Sequence, residues 1–178
     1  MQTPVATSAI ERHVLRFSGL DLHDDTVESV SFHPAKTKRS GATVEVVFFR
    51  HWEQKRRRLT FRGCSNFEVV LDADILADNA PSNTSSAMAT AEWDDIERIL
   101  RRHKRFWNVS YHPALPRQDL KASKARACAL FRLHYFGGIL LVLGRSFTIK
   151  TVAQAAVSVG WATSCPPYKV IKFPPSRQ

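Results

Sequence analysis

A chain of 178 residues has room for one domain of ordinary size and is cramped for two. With 44% hydrophobic and 10% aromatic residues it can bury a continuous core without disulfide or metal staples, and its formal charge of +10 favours acidic partners, protein or nucleic acid, through long-range attraction. The longest strongly apolar stretch, Gly137 to Leu143, falls far short of the roughly 20 residues that a membrane-spanning helix needs.

Met1 to Ile10 carries neither a basic start nor an apolar run, so it does not read as a secretory signal, and a cytoplasmic protein is expected. Three cysteines, Cys64, Cys128 and Cys165, are an odd number without CxxC spacing. That pattern argues against a disulfide framework and a zinc site, and the apolar runs beside Cys64 and Cys128 favour small buried hydrophobes over nucleophiles.

In chain order, residues 1–10 read as a disordered leader, 11–152 as a single domain, and 153–178, with Pro166, Pro167, Pro174 and Pro175, as an extended tail. Val14, Leu15 and Phe17 within Glu11 to Gly19 suggest a first strand closed by Ser18-Gly19. Thr26 to Phe32 is the next, with Val30 and Phe32 on one face and Ser29 and Ser31 on the other. A basic loop from Pro34 to Gly41 leads into Thr43 to Arg50, whose two faces are both largely apolar, as in a central strand.

Arg57 to Arg62 and Asn66 to Asp72 alternate clearly, with Gly63 between them at a bend or bulge that a residue without Cβ tolerates best. These strands make one meander from Thr26 to Asp72. Ala77 to Thr90, dense in Ala, Ser, Asn and Thr, reads as a long flexible loop.

Thr90 is placed to cap a helix from Glu92 to Phe106, since Trp93, Ile96, Leu100, His103 and Trp107 recur at spacings of three and four. Its acidic start and basic end suit the helix dipole. Pro113 and Pro116 bar continuation, and Arg117 to Arg126 is either a loop or a short exposed helix.

Ala129 to Phe136, Gly137-Gly138 and Ile139 to Leu143 form a hairpin pattern. Gly144-Arg145-Ser146 then turns the chain into Phe147 to Val152, completing a second meander. The fold class is therefore α+β, a mostly antiparallel sheet of two meanders covered by one main amphipathic helix, because the connections are too short for crossovers.

No Gly-rich phosphate loop, GxSxG or HExxH is present, so no catalytic residue, metal site or cofactor is assigned and the chain does not read as an enzyme. The nearest approach to a catalytic cluster is His23-Asp24-Asp25, a metal ligand or a base with its orienting carboxylate. The structural alternative is an Asx-type turn in which Asp24 or Asp25 bonds nearby backbone amides.

Two basic clusters stand out: Lys55, Arg56, Arg57 and Arg58 at a turn, and Arg98, Arg101, Arg102, Lys104 and Arg105 on the helix. With Trp52, Phe106, Trp107 and Tyr111 they could grip phosphates and stack on bases. They also suit a solvated helix face beside aromatic core residues, the reading that the lack of any recognised binding motif favours.

Leu22-His23-Asp24-Asp25, the strand from Val27 to Phe32, Arg58-Leu59-Thr60-Phe61-Arg62-Gly63-Cys64 and Phe67-Glu68-Val69 together resemble a group of small, uncharacterised bacterial β-rich proteins with an early Leu-His-Asp motif. The likeness spans roughly the stretch up to Ile75 and the hairpin at Gly137-Gly138. Some members are regarded as immunity proteins of polymorphic toxins. The resemblance implies a non-catalytic protein-binding module, with His23 and Asp24 as its signature positions. Inhibitors of nuclease toxins tend to be acidic, so this basic chain would need an acidic protein partner. Nucleic-acid binding through the two basic clusters is the alternative function.

Overall fold

A computed structural model describes residues 8–35, 41–71, 84–103, 109–111, 124–125, 127–135, 138–152 and 170–172. Among them it is α+β, with two antiparallel sheets and two helices. The elements are α1 (Ala9–Ser18), β1 (Thr26–His33), β2 (Ala42–Arg50), β3 (Lys55–Cys64), β4 (Asn66–Leu71), β5 (Thr84–Thr90), α2 (Trp93–His103), β6 (Val109–Tyr111), β7 (Ala129–Tyr135), β8 (Gly138–Gly144), β9 (Ser146–Val152) and β10 (Val170–Lys172).

The first sheet runs β10-β1-β2-β3-β9 and the second β5-β7-β8-β4-β6. Neither meander stays in one sheet. β3 continues into β4 and β8 into β9, while β3 pairs with β9 and β4 with β8. The two ribbons are one long hairpin pair that turns a corner, kept hydrogen-bonded there by Ser65 N to Leu143 O at 2.9 Å and Arg145 N to Arg62 O at 3.0 Å.

Gly63 makes that corner possible. The register shifts at Ala42/Thr43 so that Gly63 is the extra residue of a bulge, at φ +61°. A Cβ there would come within 2.8 Å of Arg145 Cδ, and one on Gly41 within 2.6 Å of Gly63 Cα.

The core lies between the sheets. Val44, Val46, Phe48, Leu59 and Phe61 of the first sheet meet Phe67, Val69, Phe131, Leu133, Leu140 and Val142 of the second. Phe32 stacks on Phe67 at 4.8 Å, and Phe17 touches Phe61, Phe131 and Phe147 with ring centres 5.1–5.7 Å apart. Each buried Phe contributes roughly 1.5–3 kcal/mol by removing its ring from water.

Phe17 corrects the expected strand at Glu11 to Gly19, and it shortens the expected leader. The segment is α1, started by a capping box in which Ser8 Oγ accepts from Glu11 N and Glu11 Oε2 accepts from Ser8 N. Ile10, Val14 and Phe17 then fall on the buried stripe. Residues 1–7 lie outside the described residues.

Helix α2 follows its expected outline as far as His103. Ile96 is buried, and Trp93, Ile99 and Leu100 pack with it on Leu130, Ile139, Leu141 and Leu143, the outer side of the second sheet. β8 is therefore buried on both sides along its whole length. Thr90 does not take the cap position itself: its hydroxyl accepts from Glu92 N at 3.1 Å, while Glu92 O receives the first helical bond from Ile96 N.

Three further segments differ from expectation. Thr84–Thr90, read as loop, is the edge strand β5 on β7, and Val170–Lys172 within the expected tail pairs with β1. The hairpin pairs as far as Tyr135 with Gly138, one residue short of the expected Gly-Gly turn. The expected loop at 77–83, the stretch 117–123 and Trp107 lie outside the described residues. No helix among the described residues is long and apolar enough to cross a membrane.

Candidate functional site

Two groups of polar side chains bear on function. One lies in the turn before β1, where the chain places Leu22-His23-Asp24-Asp25. Leu22 is buried in the core, and Asp25 N donates to Leu22 O at 3.0 Å, closing a turn in which Asp24 adopts φ +64°. Thr84 clamps it from β5: its backbone N donates to Asp25 O at 2.9 Å, its carbonyl accepts from Asp24 N at 3.0 Å, and its hydroxyl bonds the carbonyls of Leu22 and Asp25.

Asp25 is fully buried and answers to two arginines of the β2–β3 hairpin, Arg50 Nε at 2.8 Å and Arg57 Nη1 at 3.4 Å. Arg50 also holds Glu53 at 3.1 Å and the Asp21 carbonyl, and its guanidinium stacks 4.6 Å from the centre of the exposed Trp52 ring. Burial lifts the Asp25 carboxyl above its ordinary value, and Arg50 and Arg57 counter this. Burial also works against the charge on Arg50, but its hydrogen bonds to Asp25 and Glu53 prevail and raise its pKa.

This ionic cluster overturns the Asx-turn expectation. Among the described residues neither carboxylate accepts from a backbone amide: Asp25 reaches across to the hairpin, and Asp24 bonds His23 Nδ1 at 2.8 Å on the surface. Its effect is to pin the turn to the sheet. Among the described residues no three His, Cys, Asp or Glu side chains gather as metal ligands.

The second lies on the outer side of the first sheet. Alternation along β3 sends Leu59 and Phe61 inward and Arg56, Arg58, Thr60 and Arg62 outward. On β9 the same rule puts Thr148 and Lys150 outward. Register sets Arg58 directly opposite Lys150 and Thr60 opposite Thr148.

The structure separates the expected basic residues by partner. Lys55 lies 3.6 Å from Glu53, Arg56 grips Glu28 with bonds of 2.8–3.1 Å, and Arg57 belongs to the Asp25 cluster. Arg98 is paired with Asp95 one turn before it on α2. Arg101 and Arg102 lie in the last turn of α2, while Lys104, Arg105, Phe106 and Trp107 lie outside the described residues.

Arg58 alone of its cluster is exposed without an ion pair to a described residue. Two cations that sequence reading passed over join it, Arg62 and Lys150, both exposed and equally unpaired among the described residues. Arg62 shares the outward parity of Arg58, a signal legible in the alternation. Lys150 needed the β3–β9 register.

On the four strands of this face whose side chains are described, four cations, Arg56, Arg58, Arg62 and Lys150, meet two carboxylates. Glu28 is taken by Arg56, and Glu45 accepts from Thr60 at 3.3 Å and lies 3.5 Å from His33. Val47 and Phe49 lie half-buried among them, with Arg56 lying 5.5 Å over the Phe49 ring and His51 meeting its edge. Comparison with known proteins finds no matching family model, no matching curated protein and no matching solved structure.

Proposed function

We propose that this is a non-catalytic interaction module that docks an acidic protein partner on the outer face of its first sheet, as an immunity-type inhibitor would. The observation that carries the reading is Arg58 opposite Lys150, with Arg62 four residues along the same row. Like charges directly across a strand pair weaken the sheet. The arrangement costs stability in the free protein and is relieved when a carboxylate-bearing surface covers it.

The face suits a protein better than a nucleic acid. Arg58 and Arg62 lie roughly 13 Å apart along β3, by the strand rise, with hydroxyls and half-buried apolar groups around them. Stacking platforms for bases need open aromatic rings, and Phe49 on this face is already flanked by Arg56 and His51.

The test uses a fluorescent decaglutamate peptide and a labelled single-stranded DNA, each titrated at low and at physiological salt. The triple variant Arg58→Ala, Arg62→Ala, Lys150→Ala, shown to melt like the wild type, is expected to bind the peptide at least about tenfold more weakly. Equal peptide binding by both proteins sinks the proposal. So does a result in which only the DNA binds at physiological salt and depends on these three side chains, which assigns the face to nucleic acid.

A further inference from the structure

The strand that carries Lys150 ends the first sheet among the described residues. We infer that the partner docks by adding an extended acidic segment alongside β9, so that the first sheet gains a strand and the new side chains lie over Arg58 and Lys150. This rests on the reading of the face given above and names how the partner is held.

The first sheet ends at β10 and β9 and the second at β5 and β6; β10 and β6 are only three residues long, too short to present a row of backbone groups. β5 is closed by the turn and by α1, since Thr84 exchanges both backbone bonds with Asp24 and Asp25, and Ala89 N donates to Ser18 Oγ at 3.1 Å. β9 has β3 on one side, and among the described residues no strand lies on the other.

Helix α1 reaches β9 at Phe147, where the rings of His13 and Phe17 and the guanidinium of Arg16 meet the Phe147 ring. Beyond Phe147, the strand opens. Thr148, Lys150 and Thr151 are exposed, and Thr151 is so even though its parity points it to the inner side. The segment Thr148-Ile149-Lys150-Thr151-Val152 is rich in β-branched residues, which favour strand geometry.

An open edge offers a row of backbone donors and acceptors that any extended chain can complete, and the side chains beside it select which chain does. Here Lys150 sits on the edge strand itself and Arg58 one strand in, so the incoming outward side chains meet two positive charges. That chemistry selects glutamate or aspartate at alternate positions. A second copy of this chain fits poorly, because joining two β9 strands antiparallel brings two Lys150 rows together and adds like-charge repulsion.

The experiment titrates the protein with a ten-residue peptide alternating Glu and Val, and with two versions of it, one N-methylated at every Val and the other at every Glu. Strand addition uses the N–H groups of one parity only. One methylated version is therefore expected to lose at least about tenfold in affinity and the other to bind like the parent. Hydrogen exchange at the amides of Thr148 to Val152 is expected to slow when the parent peptide is added.

If both methylated peptides bind like the parent, or exchange at β9 is unchanged, the strand-addition inference falls while the cationic face stands. If the parent peptide binds the Arg58, Arg62, Lys150 triple variant as tightly as the wild type, the reading of the face falls as well. A concentration-dependent dimer in sedimentation that slows the same amides without peptide assigns the edge to self-association and overturns the inference.

Discussion

Asp25 and Arg50 meet with Nε 2.8 Å from Oδ1, and the carboxylate of the pair has no exposure to solvent. A buried pair of this kind adds little net stability, because desolvating two charges offsets their attraction, but removing one partner strands the other. Asp25→Ala is therefore expected to cost about 3–5 kcal/mol in urea unfolding. The double variant Asp25→Ala, Arg50→Ala should cost clearly less than the two single changes added together. Additive losses would mean that the pair is not coupled.

Gly41 and Gly63 both stand at positive φ, +65° and +61°, and touch across the bulge. A left-handed conformation alone costs an L-residue roughly 1–2 kcal/mol. The obstacles differ: a Cβ on Gly41 meets the Gly63 backbone at 2.6 Å, whereas one on Gly63 meets Arg145 Cδ and Cγ, which can swing aside, and the fixed Arg145 Cβ only at 3.2 Å. Gly41→Ala is expected to lower the urea midpoint more than Gly63→Ala. The reverse order would show that the corner, not the backbone contact, is the tighter constraint.

The particular strands show what was readable in the sequence. β2, β3, β7 and β9 were legible because one row of each faces the core and the period of two is preserved, and β8 because a short apolar run follows Gly137-Gly138. α2 was legible because its apolar stripe covers one sheet. β5 was not, since Thr84-Ser85-Ser86-Ala87-Met88-Ala89-Thr90 has no apolar rhythm, and its strand geometry comes from pairing with β7. α1 was misread through Val14, Leu15 and Phe17, although Ser8 and Glu11 stood at capping-box spacing and Ile10, Val14 and Phe17 at helical spacing.

The candidate site divides the same way. Arg58 stood out as part of a charge run, yet its neighbours in that run are neutralised by Glu53, two residues before Lys55, and by Glu28 and Asp25, acids that only the folded chain brings near. Lys150 has no local signal at all. Its meaning lies in register, and the partition of each meander between two sheets at Gly63 and Gly144 is a tertiary fact that period-two alternation does not carry.

Cys64 is buried beside Gly144, with its thiol pKa pushed up to about 12 by burial and by nearby Cys128. A thiol held so far above neutral pH supplies almost no thiolate, the reactive form. Iodoacetamide is expected to leave Cys64 unmodified in the folded protein and to label it promptly in urea, as read by peptide mass spectrometry. Rapid labelling of Cys64 without denaturant would contradict the buried placement.

His13 supplies the pH dependence. Its ring edge rests on Phe147, 5.7 Å between centres, and burial together with the charges of Arg16 and Arg12 holds its pKa below the ordinary 6.5. Between that depressed value and 6.5 the unfolded chain binds more protons at this site than the folded one, so stability rises with pH across the window and is lost as pH falls through it. His13→Gln removes the titration. Urea unfolding at stepped pH should show the wild type losing stability below 6.5 more steeply than the variant. Parallel curves would mean that the imidazole keeps its proton equally well in both states, which a ring packed against Phe147 between two arginines does not allow.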